Sequence, residues 1–110
     1  MTVGRFGSIS DGAEFASVYQ NAKKWHAEGM VVYYLASNLN KFAAVASKKV
    51  GKAVVRNLVK RRIRAAFAPL DAQLKDGIYI VIAKSGLDEL PFEKAQKSLK
   101  WALKKMDSLK

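Results

Sequence analysis

Apolar residues recur along this chain with two different periods, and the points where the period changes divide it into elements. Phe15, Val18, Tyr19, Ala22 and Trp25 stand at i, i+3, i+4, i+7 and i+10, the spacing of one helical stripe. They predict a first helix over about residues 11–24, with Ser10 or Asp11 as its N-cap. The run from Met30 to Ala36 is rich in β-branched and aromatic residues and predicts a strand. A short polar turn, Ser37 to Asn40, separates it from a second strand over residues 42–46. A second helix is expected over about residues 52–67, where Pro69 discourages continuation. After Asp76 and Gly77, the nearly continuous apolar run from Ile78 to Ala83 suits a central strand covered on both faces. A last helix starts near Pro91, with the stripe Phe92, Ala95, Leu99, Leu103 and Met106. The order α-β-β-α-β-α predicts a small sheet packed by helices, α+β or α/β.

The second helix separates into two faces. Val55, Val59, Ile63, Ala66 and Leu70 fall in a narrow sector and should face the sheet, while Arg56, Asn57, Lys60, Arg61 and Arg64 occupy an arc of about 140° on the other side. Arg62 lies apart, at the opposite border of the apolar stripe. Arg56, Lys60 and Arg64 stand at i, i+4 and i+8, a row stepping about 6 Å per turn, close to the phosphate spacing of a nucleic acid strand. Guanidinium groups fork onto phosphate oxygens, lysine acts as a point charge, and Asn57 can donate or accept.

Charge sharpens this picture. Between Glu28 and Asp71 lie nine basic residues and no acidic one, so this stretch alone carries +9 of a formal net charge of +11. Like charges at i, i+4 repel, and no carboxylate relieves them here. Solvated helices intersperse both signs, so a polyanionic partner is the economical explanation, nucleic acid first and an anionic membrane surface second. Charge alone does not separate DNA from RNA.

At 110 residues the chain is expected to form one domain over residues 1–110, with 1–8 flexible, large enough to bury a core without a disulfide or structural metal. Half of its residues are hydrophobic, too many for a disordered chain. It has no cysteine, which excludes a disulfide scaffold, a zinc–thiolate site and a thiol nucleophile, and fits a reducing, cytoplasmic location. No apolar run is long enough to span a bilayer, and the N-terminus has no secretory h-region. With a single histidine, no glycine-rich nucleotide loop and no persuasive carboxylate cluster, no catalytic residue and no protein metal site are expected.

The segment Ser47 to Phe67 resembles the signature of the bacterial ribonuclease P protein component. That pattern is Ser-Lys-Lys-Val/Ile-Gly, then Ala-Val-x-Arg-Asn-Arg-x-Lys-Arg-x-x-Arg, ending in an aromatic residue, and it is long and specific. Glu14-Phe15 followed by Val18-Tyr19 is similar to the family's Asp-Phe-x-x-Val-Phe, Met30 to Tyr33 to its apolar strand ending in Tyr, and Ile78 to Ala83 to its Asp-Tyr-Val-Val-Ile-Ala strand. The resemblance covers about residues 9–105 in order. One position departs: Leu58 replaces the second arginine of Arg-Asn-Arg, beside Val54 on the border of the basic arc. Losing one charged hydrogen bond there would cost on the order of 1–3 kcal/mol of binding. Glu14 in place of the commoner Asp is a minor change.

The resemblance implies an α+β domain with a four-stranded mixed sheet, three helices and a left-handed βαβ crossover, where the general handedness rule predicts the opposite hand. It implies an RNA-binding subunit of ribonuclease P, the ribonucleoprotein endonuclease that removes the 5′ leader of precursor tRNA by hydrolysis. On that reading the RNA carries the catalysis with Mg²⁺, held mainly by RNA and substrate, and the protein raises affinity for precursor tRNA and metal. The partners implied are the catalytic RNA and precursor tRNA, with no membrane and no required protein partner. Lys48, Lys49, Lys52, Arg56, Asn57, Lys60, Arg61 and Arg64 would grip the catalytic RNA. Phe15, Tyr19 and Tyr33 would line a cleft for the single-stranded leader, where aromatic faces accept any base.

Without the family, Phe15 and Tyr19 read as core. Tyr33 and Tyr34 point to opposite strand faces, and Tyr34 reads as packing. Trp101 falls opposite the apolar stripe of the last helix, among Lys94, Lys97, Lys104 and Lys105, and reads either as packing on a neighbouring segment or as a further stacking platform. His26 reads as a surface residue. Asp88 and Glu89 read as helix-starting acids. Gly51 suits either a turn or a close approach to phosphate. A ribosomal or DNA-binding architectural protein is the second reading, and a membrane-surface module the third.

Overall fold

The computed structural model describes residues 6–9 and 11–110. The chain runs through β1 (Gly7–Ser8), α1 (Gly12–Asn21), β2 (Lys23–Ala27), β3 (Met30–Ala36), β4 (Lys41–Val45), α2 (Ala53–Phe67), β5 (Gly77–Ala83) and α3 (Phe92–Lys105). Short 3₁₀ turns occupy Lys48–Val50, Ala68–Gln73 and Leu87–Glu89. The strands form one mixed sheet in the order β1-β4-β5-β3-β2. β5 is central, antiparallel to β3 and parallel to β4, and α2 connects the parallel pair.

The α+β class is as expected, with five strands rather than about four. The difference lies in two elements. The first helix does not reach Lys24: it ends at Asn21, and Trp25 lies in β2 rather than on the helical stripe. Strand pairing wins there, because β2 matches β3 from Lys23↔Tyr34 to Ala27↔Met30 and leaves a two-residue turn of Glu28 and Gly29. The turn needs a left-handed backbone, and Gly29 supplies it at φ +79°. The second difference is β1, where Gly7 and Ser8 pair with Lys41 and Phe42. Phe6 beside it is fully buried, 5.2 Å from Phe67 and 5.5 Å from Tyr79 between ring centroids. Residues 6–8 are therefore built into the fold rather than flexible. Residues 1–5 of that expected flexible segment, and Ser10 as a cap, lie outside the described residues, whereas Asp11 does cap α1, its carboxylate accepting from the Ala13 N–H at 3.0 Å.

Alternation along the strands sorts the core into two layers. Met30, Val32 and Tyr34 of β3, Phe42 of β4 and Tyr79 and Val81 of β5 pack under α2 and α3, against Val59, Ile63, Phe67, Leu99 and Leu103. Ile78 and Ile80 of β5 face α1 with Val18 and Ile9. The two faces are covered unequally, by two helices on one side and one on the other. On the α1 side Tyr33, Leu35, Ala43, Val45 and Ile82 consequently remain half-buried. The strip is left partly open to solvent beside α1.

Candidate nucleic-acid interface

The helix α2 buries Val59, Ile63, Ala66 and Phe67, so its helical period fixes where the basic residues go. Arg56, Lys60 and Arg64 are half-buried, their aliphatic stems lying on the protein, whereas Asn57 and Arg61 are exposed. Lys48, Lys49 and Lys52 are exposed at the N-terminal end of the same helix. This end has no side-chain cap and no acidic residue in its first turn. Its first-turn amides and dipole thus point at the place where three lysines gather, which suits an anion.

Two of the nine basic residues in the acid-free stretch have work inside the protein. Arg62 donates from Nη1 to the carbonyls of Asp88 at 2.8 Å and Leu90 at 3.2 Å, tying α2 to the turn before α3. Lys41 donates to the Glu14 carboxylate, tying β4 to α1. Among the described residues, none of Lys48, Lys49, Lys52, Arg56, Lys60, Arg61 and Arg64 forms an ion pair. Val54, 80% exposed, and half-buried Leu58 make an apolar step one turn apart on the helix carrying this surface.

The three aromatic residues assigned to the cleft come together. Tyr19 contacts Tyr33 edge-on with ring centroids 4.9 Å apart and lies 6.1 Å from Phe15, so the row crosses the sheet from the β4 side to β3. Phe15 and Tyr33 also pack against the core beneath, which makes them cleft and core at once. Tyr19 is 39% exposed. Its phenol is pushed above the usual tyrosine value, first by burial and then by the neighbouring Tyr33. Tyr34 is buried on the opposite face and stacks on Tyr79 at 4.9 Å.

The basic helix and the aromatic row meet. A cavity of about 150 Å³ is lined by Ser8, Ile9, Phe15, Phe42, Ala43, Ala44 and Arg64. Among the described residues β1 pairs with Lys41 and Phe42, and the next two residues of β4, Ala43 and Ala44, contribute small side chains to the cavity wall. Arg64 therefore belongs to both surfaces, a junction that the helical wheel alone does not reveal. Ser8, Ile9, Ala43 and Ala44 were not legible as site residues, since only the pairing of β1 brings them there.

Elsewhere, His26 is exposed on the edge strand, and Asp88 and Glu89 lie in the 3₁₀ turn before α3 rather than in the helix. Trp101 packs edge-on against Trp25 with centroids 5.4 Å apart and is still 46% exposed. Gly51, at φ +149°, turns the chain into α2, and a Cβ there would sit 3.1 Å from that of Val55. A turn role thus accounts for it.

Comparison with known proteins gives a consistent result. The family model described as Ribonuclease P matches residues 4–107. A ribonuclease P protein component from a Thermoanaerobacter species is 36% identical over 95 residues, covering 84% of this chain and 82% of the relative. One from Lactococcus lactis is 33% identical over 106 residues, covering 94% and 91%. The solved RNase P protein of Staphylococcus aureus superposes with a TM-score of 0.83 at 27% identity, over 94% of this chain and 97% of that one. That of Thermotoga maritima gives 0.78 at 24% identity, covering 89% and 96%, a likeness of fold.

Proposed function

The chain belongs to the ribonuclease P protein family, acting in tRNA processing with the family's RNA subunit, and from that premise we propose a division of labour between its two surfaces. Lys48, Lys49, Lys52, Arg56, Asn57, Lys60 and Arg61 grip the catalytic RNA. Phe15, Tyr19 and Tyr33 hold the single-stranded 5′ leader of precursor tRNA, and Arg64 stands where the two RNAs come closest. The observation that carries this reading is the shared cavity of Phe15 and Arg64. It supports a protein that positions one RNA against another.

Physical chemistry assigns each part its task. Unpaired basic side chains along α2 release counterions from RNA phosphates and supply sequence-independent affinity. Half-buried Arg56, Lys60 and Arg64 are held by their stems, so less side-chain freedom is lost on binding. Aromatic rings stack on any base, each worth about 1–3 kcal/mol, so leaders of varied sequence are accepted.

Mg²⁺ belongs with the RNA and the substrate in this proposal. The reading places no ion on the protein itself: among the described residues no group of three or more His, Asp or Glu side chains comes together, and Glu14, beside the aromatic row, is engaged by Lys41. The protein's contribution to metal use is indirect. By fixing the leader against the catalytic RNA, it lowers the Mg²⁺ needed to hold the two polyanions together. Hydrolysis of the phosphodiester is then the RNA's chemistry, with no side chain of this protein at the reacting atoms.

Cleavage of a precursor tRNA by the catalytic RNA of the same organism, at low Mg²⁺ with and without the protein, tests this. The expected result is cleavage that needs both components. A folded protein that leaves the RNA's activity unchanged would return the basic helix to generic nucleic-acid binding.

A further inference from the structure

The helix α3, which packs beside α2 on one face of the sheet and reaches the β2 edge, carries a second basic and aromatic surface. On α3, Lys97, Trp101 and Lys105 stand at i, i+4 and i+8, a single row with the indole in the middle. Lys105 Nζ lies 5.8 Å from the centre of the Trp101 ring. Trp101 leans edge-on against Trp25 of β2, which braces it, and keeps 46% of its surface open. The contacts with Trp25 and Lys105 hold the ring in place, yet they leave nearly half of it open to solvent among lysines. Glu93, four residues before Lys97, continues the row at its N-terminal end, with no ion pair to Lys97 among the described residues, and Asp107 past the other end pairs with Lys75 at 3.5 Å.

The sheet connects this surface to the leader cleft. β2 is the edge strand, and its Lys24 is the register partner of Tyr33, the last ring of the aromatic row. Lys24 shares the cleft face with Tyr33, and the next residue, Trp25, points to the α3 side, as does Lys23. A polyanion leaving Tyr33 therefore crosses two exposed lysines on the edge before reaching the indole pair.

We propose that Lys97, Trp101 and Lys105, braced by Trp25, form a second platform for single-stranded RNA, taking the distal part of the leader after it passes Tyr33 and the β2 edge. The proposal rests on the leader reading above. Trp101 stacks on a base, Lys97 and Lys105 hold the flanking phosphates, and Lys23 and Lys24 guide the strand over the edge. Such a platform makes affinity depend on leader length and not only on the leader's presence.

The test uses the assembled ribonucleoprotein with mature tRNA and with precursors whose leaders are about 4 and about 16 nucleotides long, the range of site sizes of small single-strand-binding domains. With wild-type protein the longer leader should bind more tightly than the shorter. Trp101→Ala should cost about tenfold or more on the long leader, the loss of one stack, and bring its affinity close to the short leader's. Trp101→Phe should restore most of that loss, and Lys97→Glu with Lys105→Glu, which leaves the packed indoles in place, should reproduce it. Wild-type affinity of these variants for the long leader would overturn the proposal, as would weakened assembly with the catalytic RNA alone, which would assign the surface to that RNA. A wild-type preference for precursor that does not grow with leader length would overturn this inference alone. No wild-type preference for precursor over mature tRNA would overturn the leader reading itself.

Discussion

At the scale of single residues, Arg64 separates this account from a simpler one in which the basic helix and the aromatic cleft are independent. Arg56 and Arg64 belong to one row on α2, yet only Arg64 reaches the cavity that Phe15 lines. Arg56→Ala should therefore weaken assembly with the catalytic RNA and leave the preference for precursor over mature tRNA intact. Phe15→Ala should do the reverse, and Arg64→Ala should weaken both, each effect amounting to about 1–3 kcal/mol. Titrating the catalytic RNA with each variant, then each complex with both tRNAs, reads the two effects separately. An Arg64 variant indistinguishable from the Arg56 variant would remove the junction. Leu58 belongs to the same scale. Arginine in the family's pattern, it is half-buried here beside an exposed Val54, and the surrounding basic residues keep the surface recognisable without it.

At the scale of elements, legibility followed periodicity. The helical stripe of α2, the β-branched and aromatic run of β3 and the nearly continuous apolar run of β5 are strong local patterns, and these elements lie where the patterns put them. β2 did not announce itself. Trp25 happens to extend the stripe of α1 by i+10, while the lysines and histidine around it look like no strand. Only pairing with β3 makes Lys23–Ala27 extended, and the local signal for it was the two-residue turn of Glu28 and Gly29. That turn gives a stability prediction. Gly29 has φ +79°, and a Cβ on it would lie 2.9 Å from Leu87 Cδ1. Gly29→Ala should cost about 1–2 kcal/mol from the backbone alone, and more if Leu87 cannot shift, read as a lower denaturant midpoint at unchanged slope. An unchanged midpoint would mean that the hairpin tolerates another turn type. β1 was equally hidden, because two residues carry no period; the burial of Phe6 against Phe67 and Tyr79 holds it in place.

At the scale of the whole molecule, the unequal covering of the sheet positions the function. Two helices on one face build the core and carry the basic rows, and the single helix on the other leaves an aromatic strip open. The sequence pattern and the family resemblance together marked the basic helix and the three cleft aromatics. The pattern did not show that Ser8 and Ile9 meet Ala43 and Ala44 where Phe15 and Arg64 share a cavity, since strand order is a long-range property. In a body of 34 × 28 × 23 Å, this arrangement puts the basic groups proposed to face RNA and the aromatic groups proposed to hold the leader within reach of each other. One small protein can then touch both RNAs at once.

The central claim is that the protein makes the ribonucleoprotein recognise the leader. The direct measurement is the affinity of precursor and mature tRNA for the catalytic RNA, with and without the protein, at a Mg²⁺ concentration where the RNA alone binds both. The account predicts that the protein tightens precursor binding well beyond mature binding, and that Phe15→Ala with Tyr33→Ala removes most of that difference in a folded, assembled complex. Equal tightening of both tRNAs would contradict it, and would leave the chain as an RNA grip that does not sense the leader.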